Sequence, residues 1–248
     1  YFYDLKNNEF RDGAAEDYIT MSTKVTLPVK PEDMPIKLDD MIKSFQTEDL
    51  TSIVPEMRHY NQFYDDMNDF IDKIIPIPSV KEYGLTFLAK CLSGENRDEG
   101  FYIWTGTGGN GKSKLIDLTS MAMGDYACNL PIALLTQKRK ASGAASPEMA
   151  ITRGKRLAVM QEPDVNETLN IGQMKEITGN DKITARGLYK EPFEFTPQFK
   201  LVCMCNDLPN IPSNDDGTWR RLEVADFVSR FVDDVKDVNP ELNRYIKD

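Results

Sequence analysis

Residues 106–113 read GTGGNGKS, a set of residue types and spacings suited to holding phosphate. Gly106, Gly109 and Gly111 let the backbone turn tightly and present its N–H groups outward. A helix beginning at Lys112 would aim its positive N-terminal dipole at the same point. Lys112 adds a full charge, and Ser113 a hydroxyl able to ligate Mg²⁺. The pattern is G-x-x-x-x-G-K-[ST], the P-loop that cradles nucleotide phosphates. It carries meaning only between a strand and a helix. Here the aromatic and β-branched run FYIWT precedes it and helix-compatible residues follow. The candidate nucleotide-binding residues are Gly106, Thr107, Gly108, Gly109, Asn110, Gly111, Lys112, Ser113 and Lys114.

Hydrolysis needs more than a phosphate cradle: an oriented water, neutralised charge and a group that senses the γ-phosphate. Glu162 follows the apolar run LAVM in KRLAVMQEP, where a carboxylate can orient water or hold Mg²⁺ through its hydration shell. Gln161 precedes it and is a poor metal ligand; Asp164 stands beyond a proline. Asn206 closes FKLVCMCN on the same plan, and its amide can bond both the water and a phosphate oxygen. A turn asparagine in NDLPN is the plainer reading of that residue. DDGTWRRL supplies Arg220 and Arg221, adjacent guanidiniums able to act as an arginine finger on this subunit's phosphate or a neighbour's. In KEITGNDKITARGLYKEPFEF, two short strands would flank a tip containing Lys190, with Lys175 and Arg186 in the same stretch. Such a tip can grip a phosphate backbone while an aromatic packs on sugars or bases; an ordinary solvated hairpin fits those residues equally well. His59, the sole histidine, reads as structural, and the basic run QKRK ending at Lys140 as a solvated face.

The elements that must position these groups follow from pattern. Pro28, Pro31 and Pro35 punctuate an extended N-terminal stretch, and residues 38–53 look weakly helical. FYDDMNDFIDKII has helical spacing, Pro76 and Pro78 interrupt it, and SVKEYGLTFLAKCL forms a second helix. Continuous apolar runs ending in polar residues predict buried parallel strands with active residues at their carboxyl ends. Ser146 would cap a helix opening at Pro147, and Gly179 would close the helix IGQMKEIT. The expected organisation is an extended linker over 1–59, a small helical domain over 60–95 and an α/β core over 96–248.

The chain has 248 residues, 40% hydrophobic and 28% charged, enough for one large domain or a core with a smaller attachment. Its net charge is −10, which argues against nucleic acid binding over the whole surface. The charge is unevenly spread: residues 1–100 carry 11 basic and 20 acidic groups, residues 101–222 carry 15 and 13. Nucleic acid would therefore meet a local surface near the P-loop region. Cys91, Cys128, Cys203 and Cys205 lack zinc spacing and read as reduced thiols of an intracellular protein. No apolar run approaches a membrane span. The chain begins with Tyr1 rather than Met, so a piece of a longer protein is expected.

Taken in order, GTGGNGKS, GKRLAVMQEP, KEITGNDKITARGLYKEPFEF and FKLVCMCNDLPNIPSNDDGTWRRLEVADF resemble the superfamily 3 helicases. Within that group they are similar to the poxvirus-like primase–helicases of large DNA viruses and their phage and plasmid relatives. The resemblance covers about residues 60–230. It implies an AAA+ type P-loop core preceded by a helical collar, assembled as a homo-hexamer. It further implies ATP and Mg²⁺ between subunits, movement on single-stranded or forked DNA, and a primase domain or partner. Location in host cytoplasm or at a viral replication site goes with it. By motif, Gly106–Ser113 would form Walker A, Glu162 the Walker B acid, Asn206 sensor 1, and Arg220 or Arg221 a finger reaching the neighbour's ATP. Lys190, Arg186 and Lys175 would lie toward DNA, and Gln161 departs from the paired acids of some members. A packaging motor, a protein remodeller or an ATP-binding replication scaffold shares the P-loop; a small GTPase is disfavoured because no N-K-x-D appears.

Overall fold

The structure is a computed structural model that describes residues 2–4, 6–7, 9–17, 19–25, 58–138, 145–161, 168–213 and 215–247. An antiparallel pair, β1 (Phe2–Asp4) and β2 (Glu9–Arg11), opens the chain. Helices α1 (Arg58–Ile74) and α2 (Pro78–Lys90) follow, with Pro78 at the first turn of α2, where its missing N–H costs nothing. Then come β3 (Phe101–Thr105), α3 (Lys112–Met123), β4 (Ala127–Asn129), the single turn α4 (Ala133–Thr136), the short α5 (Pro147–Ala150) and β5 (Leu157–Gln161). Helix α6 (Ile171–Thr178) leads into the hairpin β6 (Ile183–Ala185) and β7 (Phe193–Phe195). The rest is β8 (Lys200–Met204), the turn α7 (Asp216–Trp219), β9 (Leu222–Asp226), β10 (Arg230–Val232) and β11 (Arg244–Ile246). Residues 38–53, expected to be helical, lie outside the described residues.

Five strands form one parallel sheet in the order β4-β5-β8-β3-β9. The P-loop strand β3 is therefore central, with β8 on one side and β9 on the other. Parallel strands need both faces covered, and successive side chains alternate accordingly. Tyr102, Trp104, Leu157, Val159, Val202 and Met204 enter one core, which includes Ile74 and Phe87 of the helices and Leu115 and Ile116 of α3. Phe101, Ile103, Ala158, Met160, Leu201 and Cys203 enter the other, with Met174 and Ile177 of α6.

The helices of residues 60–95 form as predicted, and they bury their apolar side chains in a core shared with the sheet. Phe87 stands 4.6 Å from Tyr102 and 5.1 Å from Trp104, ring centroid to centroid. Trp104 in turn meets Phe227 at 5.0 Å. Each such tilted aromatic pair contributes about 0.5–1.5 kcal/mol beyond its buried area. The helices are thereby bound to the strand that ends in the P-loop.

Two caps differ from expectation. Ser146 does not cap α5 with its side chain; its hydroxyl accepts from Arg186 N–H at 3.1 Å, and its N–H donates to the Arg186 carbonyl at 2.8 Å, docking α5 on β6. Gly179 ends α6 in extended backbone, φ −74° and ψ 176°. A side chain there would meet the Lys175 carbonyl at 2.8 Å, so close approach, not a left-handed turn, requires the glycine.

Candidate nucleotide site at the end of the sheet

At the carboxyl end of β3 the chain turns through the glycine loop into α3. Gly106, Gly108, Gly109 and Gly111 have φ of 148°, 87°, 62° and 84°, values that side-chain-bearing residues rarely adopt. Gly108 shares this requirement with the three glycines first singled out. Gly106 also has no room for a side chain, since a Cβ would lie 2.2 Å from Asn110 Nδ2 and 2.5 Å from the Phe227 carbonyl. A Cβ on Gly111 would lie 2.6 Å from Ile74. The end of α1 thus forms part of the loop's floor.

The loop is braced from the C-terminal side. Asn110 is buried and donates from Nδ2 to the Phe227 carbonyl at 3.2 Å. The Phe231 N–H donates to the Gly109 carbonyl at 2.7 Å. These contacts come from Phe227, just past β9, and from Phe231 of β10, and no local motif announces them.

Lys112 is buried, and its Nζ donates to the Gly106 carbonyl at 2.9 Å. Burial pulls its pKa below the ordinary lysine value. A desolvated ammonium with donors to spare is suited to an incoming anion. It faces a cavity of about 320 Å³ lined by Gly108–Lys114, Gln161, Met204, Cys205 and Asn206. Three neighbouring strands thus meet at one pocket: β3 through the loop, β5 through Gln161 and β8 through the residues that follow it. The register sets this, with Gln161 beside Met204 and Met204 beside Trp104. Asn206 is exposed, and its carbonyl accepts from Thr105 Oγ at 3.1 Å, which ties it to the end of β3.

Glu162 and Asp164 lie outside the described residues, so Gln161 marks where β5 delivers the chain. Cys205 also lines the pocket, a place that its sequence context, which reads only as that of a reduced thiol, does not reveal. A hydrogen bond with Cys203, then Thr105 and the nearby Lys112, draw the Cys205 thiol below its ordinary pKa despite burial. By contrast, burial pushes Cys91 up to about 12 and Cys128 up to about 11.

Arg220 and Arg221 stand at the opposite end of the sheet. The Arg221 carbonyl accepts from Phe101 N–H at 2.6 Å, at the start of β3, whereas the P-loop leaves from its end. At a rise of about 3.3 Å per residue, the strand separates them from the pocket by roughly 13 Å. Glu99 pairs with both arginines, at 3.1 Å from Arg220 and also directly with Arg221. Arg221 donates as well to the Gly217 carbonyl at 2.7 Å, and its side chain is 11% exposed against 65% for Arg220.

The hairpin candidates separate. Lys190 is exposed beside Tyr189, which is fully exposed at φ 56°. Arg186 sits at the base, its backbone paired with Ser146. Lys175 is not at the tip. It lies on α6, where its Nζ pairs with Asp215 at 2.6 Å.

A parallel five-stranded sheet with a glycine loop between its central strand and a helix defines an AAA+ type P-loop NTPase core, preceded here by two collar helices. Residues 104–221 match a family described as DUF5906, of unknown function. The chain is 43% identical over 230 residues to the protein named Putative helicase L207/L206 of Acanthamoeba polyphaga mimivirus, covering 93% of this chain and 21% of that protein. It is 33% identical over 267 residues to Putative helicase 022R of Frog virus 3, covering 93% and 27%. Homologues of this chain thus bear helicase names in large DNA viruses, as the motif order implied, and the chain spans about a quarter or less of their length. Among solved structures, the C-terminal region of NrS-1 matches with a TM-score of 0.52 at 13% identity, over 71% of this chain and 40% of that one; this likeness concerns the fold. No helix among the described residues is long and apolar enough to cross a membrane.

Proposed function

We propose that this chain is the ATPase part of a superfamily 3 DNA helicase, hydrolysing ATP between subunits of a ring and moving on single-stranded DNA. The observation that carries this reading is the convergence of Lys112, Gln161 and Asn206 on one cavity while Arg220 and Arg221 lie at the far end of the same strands. Arginines about 13 Å along the sheet from their own pocket would serve another subunit's.

The pocket's residues fit a nucleoside triphosphate with its magnesium ion. Lys112 would exchange the Gly106 carbonyl for phosphate oxygens, and the loop N–H groups and the start of α3 would hold the remainder. Ser113, with Glu162 through water, would hold the metal, which supplies charge neutralisation on the phosphates. Asn206 would orient the attacking water. Arg220, the more exposed of the pair, would reach the neighbouring pocket while Arg221 stays anchored. At the hairpin, Tyr189 would stack on bases and Lys190 would neutralise backbone phosphate. A ring of six, a primase domain or partner, and replication of viral DNA belong to the same proposal.

ATP turnover by the full-length protein, measured with and without single-stranded DNA, tests it. Stimulation by DNA that disappears in Lys112→Ala is expected. Turnover indifferent to DNA, together with unchanged DNA affinity in Lys190→Ala, would reject the helicase in favour of a motor acting on another substrate.

A further inference from the structure

Helix α6 leads directly into the hairpin, and it is tied twice to the segment bearing the arginines. The first tie is Lys175, whose Nζ donates to Asp215 Oδ1 at 2.6 Å. Asp215 is the N-cap of α7, accepting from Thr218 N–H at 2.9 Å and Thr218 Oγ at 2.7 Å. Ser213 Oγ joins the same carboxylate at 2.5 Å, and Thr218 is fully buried. Arg220 is the C-cap of α7 and Arg221 donates back to Gly217 within it. The second tie is the last carbonyl of α6, on Thr178, which accepts from the buried Asn96 Nδ2 at 2.7 Å. The Asn96 carbonyl in turn accepts from Glu99 N–H at 3.2 Å, and Glu99 is the carboxylate that grips both arginines.

We infer that α6 couples the hairpin to the arginine pair, with Lys175 and Asn96 as positioning residues, so that a displacement of the hairpin is delivered to Arg220 and hence to the neighbouring subunit's nucleotide. This rests on the helicase reading given above. It also reassigns Lys175, whose place in the motif had suggested contact with DNA. Its ammonium is already committed to Asp215, away from the tip at Tyr189 and Lys190. A two-ended tie suits transmission better than a single contact, because α6 cannot rotate about either end without moving α7 or the Asn96–Glu99 turn. The Lys175–Asp215 pair is partly solvent-exposed, so the coupling should weaken as salt is added.

The test compares wild type, Lys175→Met and Lys175→Arg in the full-length protein. Binding of a fluorescent ATP analogue, affinity for an oligo-dT strand, DNA-stimulated ATPase and amide hydrogen exchange over residues 216–221 are measured. Lys175→Met is expected to bind nucleotide and DNA as wild type does. It should lose roughly fivefold in DNA stimulation and exchange faster over 216–221. Lys175→Arg, which keeps the charge, should retain most of the stimulation. The inference is overturned if DNA affinity falls in step with stimulation, which would make Lys175 a DNA ligand. It is equally overturned if stimulation or hydrogen exchange is unchanged. Should wild type itself show no DNA stimulation, the helicase reading fails, and exchange over 216–221 alone decides whether the tie to α7 stands.

Discussion

The two ends of β3 hold cations in opposite ways. At its carboxyl end Lys112 is buried and desolvated against a neutral carbonyl. At its amino end Arg220 and Arg221 share the Glu99 carboxylate. The first arrangement raises the free energy of the unliganded pocket and favours an incoming anion. The second holds both arginines on one carboxylate and leaves Arg220 the more exposed of the two. One strand therefore carries a desolvated cation at one end and a carboxylate-paired couple at the other.

Breaking the carboxyl end should have the largest effect. Lys112→Ala is expected to bring ATP hydrolysis to background, a loss of at least about 10³-fold, since it removes the charge that meets the phosphates; phosphate release assays check it. Next comes the amino end. Arg220→Ala should cost about 10³-fold in kcat, with partial recovery when mixed with Lys112→Ala subunits because an intact composite site can form. No recovery in rings shown to be mixed would remove the distinction between the two ends. Within the pocket, Asn206→Ala should lower kcat by about 10²-fold with a smaller change in KM, as steady-state kinetics would reveal. At the hairpin, Tyr189→Ala should weaken oligo-dT binding by roughly tenfold, the usual worth of one stacked base, measured by fluorescence anisotropy. The smallest effect concerns the loop's floor: Gly111→Ala should cost about 2 kcal/mol of stability through its φ of 84° and the contact with Ile74, read from urea unfolding.

What was legible in the sequence was what is local. The P-loop, β5, β8 and the hairpin are each announced within a dozen or so contiguous residues, by apolar runs or glycine spacing. Parallel strands carrying apolar residues on both faces are easily seen as runs, and their polar ends then indicate the site. The position of Arg220 and Arg221 was not legible, because it depends on β9 pairing with β3 across more than a hundred residues of chain. LEVAD is a five-residue strand with mixed exposure, a weak signal on its own. Nor could pattern show that Lys175 pairs with Asp215, or that Asn110 and Gly109 lean on Phe227 and Phe231. Those contacts are fixed by tertiary register. Ser146 illustrates the limit differently: its residue type is right for a cap, but the backbone just past β6 claims its hydroxyl first.

The contact between Ile74 and Gly111 has a practical corollary. The helical region ahead of the sheet cannot be treated as a detachable module, since its last turn is a foundation stone of the glycine cradle at the end of β3. A shortened version trimmed to begin at β3 would leave a void beneath that cradle and slacken it. Any minimal fragment engineered for crystallography or inhibitor screening against this pocket should therefore start ahead of Arg58.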